Sequence, residues 1–317
     1  MGEFFHAVRV FGDQLAAVRW QFLGIALGLH LARLALRSYA WQTILLASYP
    51  GSRVRYRSVL GAYVAGVGIN SIVPARAGDA VKLYLIRHRI DGSSYATLAP
   101  TLVMETLFDA VVAAGFIVWA AAIGVLPTHQ VYSRLPSVDW GFFVKHQRWT
   151  EIGLAVLAGV LVIGLIAFVE GGGEMRARIM RGFAILRDPG RIARCVILPQ
   201  ALSWVLRVAS LYYFLEAFRV HASIHNALLA LVVDSLATLF PATPGGAGTK
   251  QGLIVYLFRG EAYSKSLLLA FSVGANIALV VFNLGCGLVA LYMMARTISW
   301  RRLKTEQAQE QQQPVES

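Results

Sequence analysis

Four stretches of this 317-residue chain hold no charged side chain: residues 58–75, 110–133, 152–169 and 266–295. A helix rises about 1.5 Å per residue, so roughly 20 apolar residues cross the hydrocarbon of a bilayer, and each run is close to that length or longer. Three more apolar segments carry charges inside them: residues 20–48 with Arg33 and Arg37, 195–217 with Arg207 and Glu216, and 224–240 with Asp234. Only 15% of all residues are charged, too few to clothe a soluble surface, which needs about a quarter. The chain reads as an all-α, polytopic membrane helix bundle. Its net charge of +12 would suggest nucleic acid in a soluble protein; in a membrane protein it marks loops and orients the chain, so no nucleic-acid partner is expected.

Two places break the helical pattern in the same way. NSIVPARAGDAVKLYLI, residues 70–86, contains Pro74 and Gly78; LFPATPGGAGTKQG, residues 239–252, contains Pro241, Pro244, Gly245, Gly246 and Gly248. Proline removes a backbone donor and glycine permits a tight reversal. At membrane depth such backbone survives only when buried in protein or set against a wet cavity. Each place reads as a broken helix or a re-entrant hairpin. Pro74 and Gly78 correspond to Pro241 and Gly245, Gly92 and Tyr95 to Gly260 and Tyr263, and Arg37 to Arg207, at offsets between 167 and 170. The shared order of landmarks implies two pseudo-symmetric repeats, as in many transporters.

The expected organisation is an amphipathic segment (1–19), a first membrane repeat (20–170), a basic loop (171–194), a second repeat (195–300) and a polar, disordered tail (301–317). Basic residues form four clusters: Arg53, Arg55 and Arg57; Lys82, Arg87 and Arg89; six arginines from Arg176 to Arg194; and Arg296, Arg301, Arg302 and Lys304. With both breaks re-entrant, all four fall on one side and the crossings are residues 20–48, 95–125, 152–169, 195–217 and 263–295. The odd number of crossings inverts the second repeat relative to the first. The C-terminus is then cytoplasmic and the N-terminus outside. Cys195 and Cys286 have no ligand-like spacing, so neither a metal nor a cofactor is expected.

Charges inside an apolar chain cost roughly 2.5–3.5 kcal/mol each at mid-membrane and need partners or a task. His30, Arg33 and Arg37 share one helical face; Glu105 and Asp109 share another. The two stripes either pair as static ion pairs or bind substrate. Arg76, with Asn70 and Ser71 before it, suits a phosphate at a broken helix, because a guanidinium donates a fork of hydrogen bonds where free amides converge. Asp79 either joins that site or caps the helix. Gly245, Gly246 and Gly248 expose backbone to a head group or to a neighbouring helix. Arg207 and Asp234 form a counterpart pair in the second half, and Asn276 and Asn283 suit interhelical hydrogen bonds. No catalytic triad, nucleotide loop or metal motif is present.

At these residues the chain resembles a known family. NSIVPARAGDAVKLYLI followed by METLFDA, then LFPATPGGAGTKQG, are similar to the two motif regions of the lysylphosphatidylglycerol synthase transmembrane domain and its stand-alone, flippase-like relatives. LRSYAWQTILL, with Arg37 and Trp41, resembles that family's opening arginine-bearing helix. The resemblance implies an inner-membrane protein that moves a membrane phospholipid or polyprenyl-linked lipid between leaflets, with no aminoacyl transfer of its own; cell-envelope biosynthesis enzymes are candidate partners. Gln251 stands where the second motif commonly has Glu, and Gly78-Asp79 where the first has Gly-Glu. The expected function is that of a lipid flippase and not an enzyme, with a head-group site of Arg33, Arg37, Asn70, Arg76, Asp79, Glu105, Asp109, Arg207 and Asp234. A transferase acting on a polyprenyl phosphate and a non-transporting envelope scaffold are the alternatives.

Overall fold

The computed structural model describes residues 17–73, 76–123, 172–239, 249–258 and 263–310, and among them the regular structure is entirely helical. In chain order the helices are α1 (Trp20–Ser48), α2 (Tyr56–Asn70), α3 (Ala77–Arg87), α4 (Tyr95–Ala122), α5 (Gly172–Gly182), α6 (Pro189–Ala217), α7 (Ile224–Leu239), α8 (Thr249–Leu257) and α9 (Lys265–Glu310). The uncharged run 152–169 lies outside the described residues, as do Pro74, Pro241, Pro244, Gly245, Gly246 and Gly248.

Among the described residues, three helices are long and apolar enough to cross a membrane: α4 over Tyr95–Ala120, α6, and α9 over Lys265–Arg296. Their outward faces suit lipid. On α4, Val103, Leu107, Val111 and Val118 are exposed at helical spacing, while Leu98, Thr101, Leu102 and Glu105 turn inward. The α1 helix is just as long, at 29 residues, but its buried face is mixed. Leu23, Ala26, His30, Leu34, Arg37, Trp41 and Leu45 recur every three or four residues and face the bundle. Trp41 is wholly buried, and its Nε1 donates to Thr101 Oγ1 at 3.0 Å, which ties α1 to α4.

Inside lipid, helices associate through close packing and shared hydrogen bonds, and small residues decide where backbones can meet. The α2 and α3 helices run antiparallel and touch at Gly66 and Gly78. A Cβ built on Gly78 would lie 1.9 Å from the Gly66 carbonyl oxygen, so glycine is required at this contact. Gly68 meets Gly287 of α9 in the same way, with a Cβ on either falling 2.8 Å from the other's Cα. Gly182, at the end of α5, approaches α4 beside Pro100. On α6, Pro199 follows a π-helical turn over Ala193–Ile197, whose wider hydrogen bonding absorbs the donor that proline lacks.

Two apolar clusters result. One joins the first half of α1, the end of α6, α7, α8 and the start of α9; the other joins the second half of α1, α2, α3, the start of α4 and the α9 region around Met294. Three of the four basic clusters meet at one end of the bundle, where Arg53, Arg89 and Arg181 line a single hollow. Lys82 does not join them. The α2–α3 contact draws it inward, and it is 5% exposed, which corrects its placement in a surface cluster. The last helix continues to Glu310, into the tail read as disordered; its Arg, Lys, Glu, Gln and Ala are all good helix formers.

Candidate functional site

Between the two apolar clusters lies a layer of charge. Arg37 on α1 is its hub. Its Nε donates to Tyr63 Oη at 2.6 Å and to Glu105 Oε1 at 3.0 Å, and Nη2 reaches the same Glu105 oxygen at 2.5 Å. Nη1 and Nη2 grip the two oxygens of Asp109 at 2.9 and 2.5 Å, a bidentate pair. Tyr63 also donates to Glu105, and Trp204 Nε1 on α6 donates to Asp109 Oδ1 at 3.1 Å. One guanidinium thus holds α1, α2 and α4 together, with α6 joined through the carboxylate.

These groups share a depth. Glu105 lies roughly ten residues into α4 from the basic end, Arg37 a similar distance before the end of α1, and Trp204 a similar distance into α6 from Arg194. At about 1.5 Å per residue each is some 15 Å from the basic end, half the hydrocarbon thickness of a bilayer. Asn283 on α9 meets α1 further from the basic end, its Oδ1 2.9 Å from Nε2 of His30, which stands seven residues before Arg37.

The layer borders an open cavity of about 280 Å³. Seven of the nine residues of the expected head-group site line it together: Arg33, Arg37, Asn70, Arg76, Asp79, Glu105 and Asp109. Four cations, counting Lys82, face three carboxylates there, leaving one net positive charge. Arg37 is fully engaged, and Lys82 Nζ pairs with Asp79 Oδ1 at 3.0 Å while resting 4.1 Å from the centre of the Tyr63 ring. Arg33 is different. It makes no hydrogen bond or ion pair among the described residues, and its buried Nε has no partner.

The start of α3 forms one wall. Asn70 Oδ1 accepts from Gly78 N at 2.7 Å, so the capping role considered for Asp79 belongs to Asn70, reaching across from the end of α2. Asp79 instead accepts from Lys82 and, at 3.4 Å, from Asn70 Nδ2. Arg76 precedes the helix in the left-handed region, at φ 57°, with Nη1 3.4 Å from Thr106 Oγ1. A non-glycine residue held there costs about 1–2 kcal/mol.

Arg207 and Asp234 lie apart from this cavity and pair with each other at 3.4 Å. Lys250 of α8 also reaches Asp234, at 3.0 Å, and both line a smaller apolar hollow of about 40 Å³ with Asn276. Sequence reasoning missed Tyr63, Thr106, Trp204 and Lys250; the settings of the first three carry no sign of polar contact. Lys82 and Lys250 hold matching places in the two motifs, and that correspondence was the available signal for both.

The chain has recognisable relatives. The family model described as the lysylphosphatidylglycerol synthase TM region matches residues 4–301. A UPF0104 membrane protein of Methanothermobacter thermautotrophicus is 22% identical over 249 residues, which is 75% of this chain and 73% of that protein. A UPF0104 membrane protein of Methanocaldococcus jannaschii is 21% identical over 245 residues, 73% of this chain and 95% of that protein. No solved structure matches. With nearly its whole length covered by one family model and three helices among the described residues fit to cross a bilayer, the chain is an integral membrane protein and belongs to the lysylphosphatidylglycerol synthase TM region family.

Proposed function

We propose that the protein is a flippase that moves a phosphate-bearing lipid, or a lipid-linked head group, between leaflets. The observation that carries this reading is Arg33: a guanidinium with no partner among the described residues, beside an open, net-positive cavity. A cation left unpaired in an apolar setting is costly unless an anion visits it. A phosphate between Arg33 and Arg76 meets that need, while Arg37, Glu105 and Asp109 hold the walls. Transport makes no covalent change in the lipid, so the reading is of a transporter and not an enzyme.

The hairpin of α2 and α3 is re-entrant in this scheme, dipping from the basic end and returning to it, as Arg89 beside Arg53 suggests. The α7–α8 pair is its inverted counterpart. Lys82 and Lys250, at the same offset as the other landmarks, both turn to a carboxylate of their own half, which supports the two-repeat reading. Rocking one repeat against the other exposes the cavity to each leaflet in turn. The positive-inside rule then puts the basic end and the C-terminus in the cytoplasm, and the protein in the inner membrane, where envelope-building enzymes would take up its lipid.

The test is translocation of fluorescent phosphatidylglycerol in proteoliposomes, read by quenching of the outer leaflet. Arg33→Ala and Arg76→Ala should each slow it at least about tenfold, the effect expected when one charge-assisted hydrogen bond to the phosphate is removed. Wild-type rates in both variants, at equal folding, would overturn the site.

A further inference from the structure

A second hollow lies on the outside of the bundle, between α2 and α9, with a volume of about 860 Å³. The α2 helix separates it from the central cavity: Tyr63 and Val67 face the cavity, while Leu60, Gly61 and Val64 face the groove. The other wall is apolar, with Val281, Val289 and Met293 exposed along α9. At Gly285 the groove is open, with nothing within 4 Å of where a Cβ would stand. From Val281 to Met293 it follows α9 for about 18 Å, close to the roughly 15 Å of hydrocarbon in one leaflet.

The groove is not apolar to its end. Gly61 lies against Met294, and beyond that contact stand Arg55, Arg57 and Arg89. Arg89 Nη2 donates to the Met294 carbonyl oxygen at 3.0 Å, fixing the basic end to α9. Arg89 also opens onto the neighbouring hollow of about 730 Å³, which holds Arg53 and Arg181 and, among the described residues lining it, one carboxylate, Asp91. The side chains of Arg53, Arg55 and Arg57 are exposed and make no ion pair among the described residues. An apolar slot one leaflet deep, closed at one end by five arginines against one aspartate among the described residues, has the charge and length of a single lipid.

We propose that this groove binds an anionic phospholipid, with an acyl chain between α2 and α9 and the phosphate on Arg55, Arg57 and Arg89. The site is separate from the central cavity and does not depend on the transport reading. Negatively charged lipid is held at the basic end of the bundle, where each arginine near an anionic head group contributes about fivefold in affinity.

Native mass spectrometry of the full chain, titrated with phosphatidylglycerol or with phosphatidylcholine, tests this. The wild type should retain phosphatidylglycerol over phosphatidylcholine. Arg55→Gln/Arg57→Gln should weaken that retention about tenfold or more, and Gly285→Leu, which fills open space, should weaken it without loss of fold. In an Arg33→Ala background, which removes the proposed central anchor, the effect of Arg55→Gln/Arg57→Gln should persist. Equal retention of the two lipids overturns the anionic assignment, and weakened retention only in Arg33→Ala returns the lipid to the central cavity. A dimer abolished by Gly285→Leu would assign the groove to a second copy. A disulfide formed between Gly285→Cys and a cysteine placed in residues 152–169 would assign it to the chain itself. Either result overturns the proposal.

Discussion

Arg37 gives two hydrogen bonds to one oxygen of Glu105, from Nε at 3.0 Å and from Nη2 at 2.5 Å. Both side chains are nearly inaccessible, so neither charge has solvent to fall back on. Removing one member of such a pair strands the other, which costs about 3–5 kcal/mol, whereas replacing both with apolar side chains of similar size is often close to neutral. Arg37→Met should therefore lower unfolding stability in lipid nanodiscs by that amount. Arg37→Met/Glu105→Met should recover most of it, less the share owed to Asp109. A double variant no more stable than the single one would show that the pair is not the unit that matters.

Gly78 and Gly28 make a matched comparison. A Cβ on Gly78 would strike the Gly66 backbone, while Gly28 has open space around its Cα. Gly78→Ala should cost about 3 kcal/mol or more, since two backbones must separate. Gly28→Ala should be neutral or stabilise by about 0.5–1 kcal/mol through helix propensity. Thermal unfolding of the two variants side by side reads the difference.

Arg76 combines strain with position. Arg76→Gly relieves the left-handed backbone, and stability should rise by up to about 1 kcal/mol once the extra freedom of the unfolded chain is counted. Translocation should fall in the same variant. Arg76→Asn, which tolerates this conformation, should follow it in both measurements. Lower stability in both would mean that the arginine's contacts outweigh its strain.

Lys82 is held between the Asp79 carboxylate and the face of Tyr63. Lys82→Met keeps the aliphatic stem but removes both interactions, and should destabilise by about 2 kcal/mol. Lys82→Arg keeps the charge in a larger, planar group and should restore part of that stability. Chemical unfolding in detergent would rank the three proteins.

Much of this site can be read along single helices. His30, Arg33 and Arg37 occupy one face because they stand three and four residues apart, and Glu105 and Asp109 do the same on α4. Either fate considered for them was open from sequence, and geometry divides the set: Arg37 is taken up in ion pairs while Arg33 is left without one. What could not be read depends on two helices at once. Lys82 sits in KLYLIRHR, which looks like a basic surface stretch, and it is buried only because Gly78 lets α3 close onto Gly66. Gly68 and Gly287 are ordinary glycines in apolar runs until their helices cross. Tyr63 reads as a core aromatic, and only the fold sets its hydroxyl between Arg37 and Glu105.

The common depth of Arg37, Glu105 and Trp204 has an energetic consequence. For an ion crossing a slab of hydrocarbon, the free-energy profile is a hill with its summit halfway, where the distance to water on both sides is greatest. Fixed charges near either face would leave that summit untouched. A weakly positive layer at half-thickness cuts into the summit itself, so an anionic head group would cross two lower slopes with a shallow well between them. The one net positive charge among the described lining residues matters for the same reason: a deeper well would hold an anion at mid-membrane.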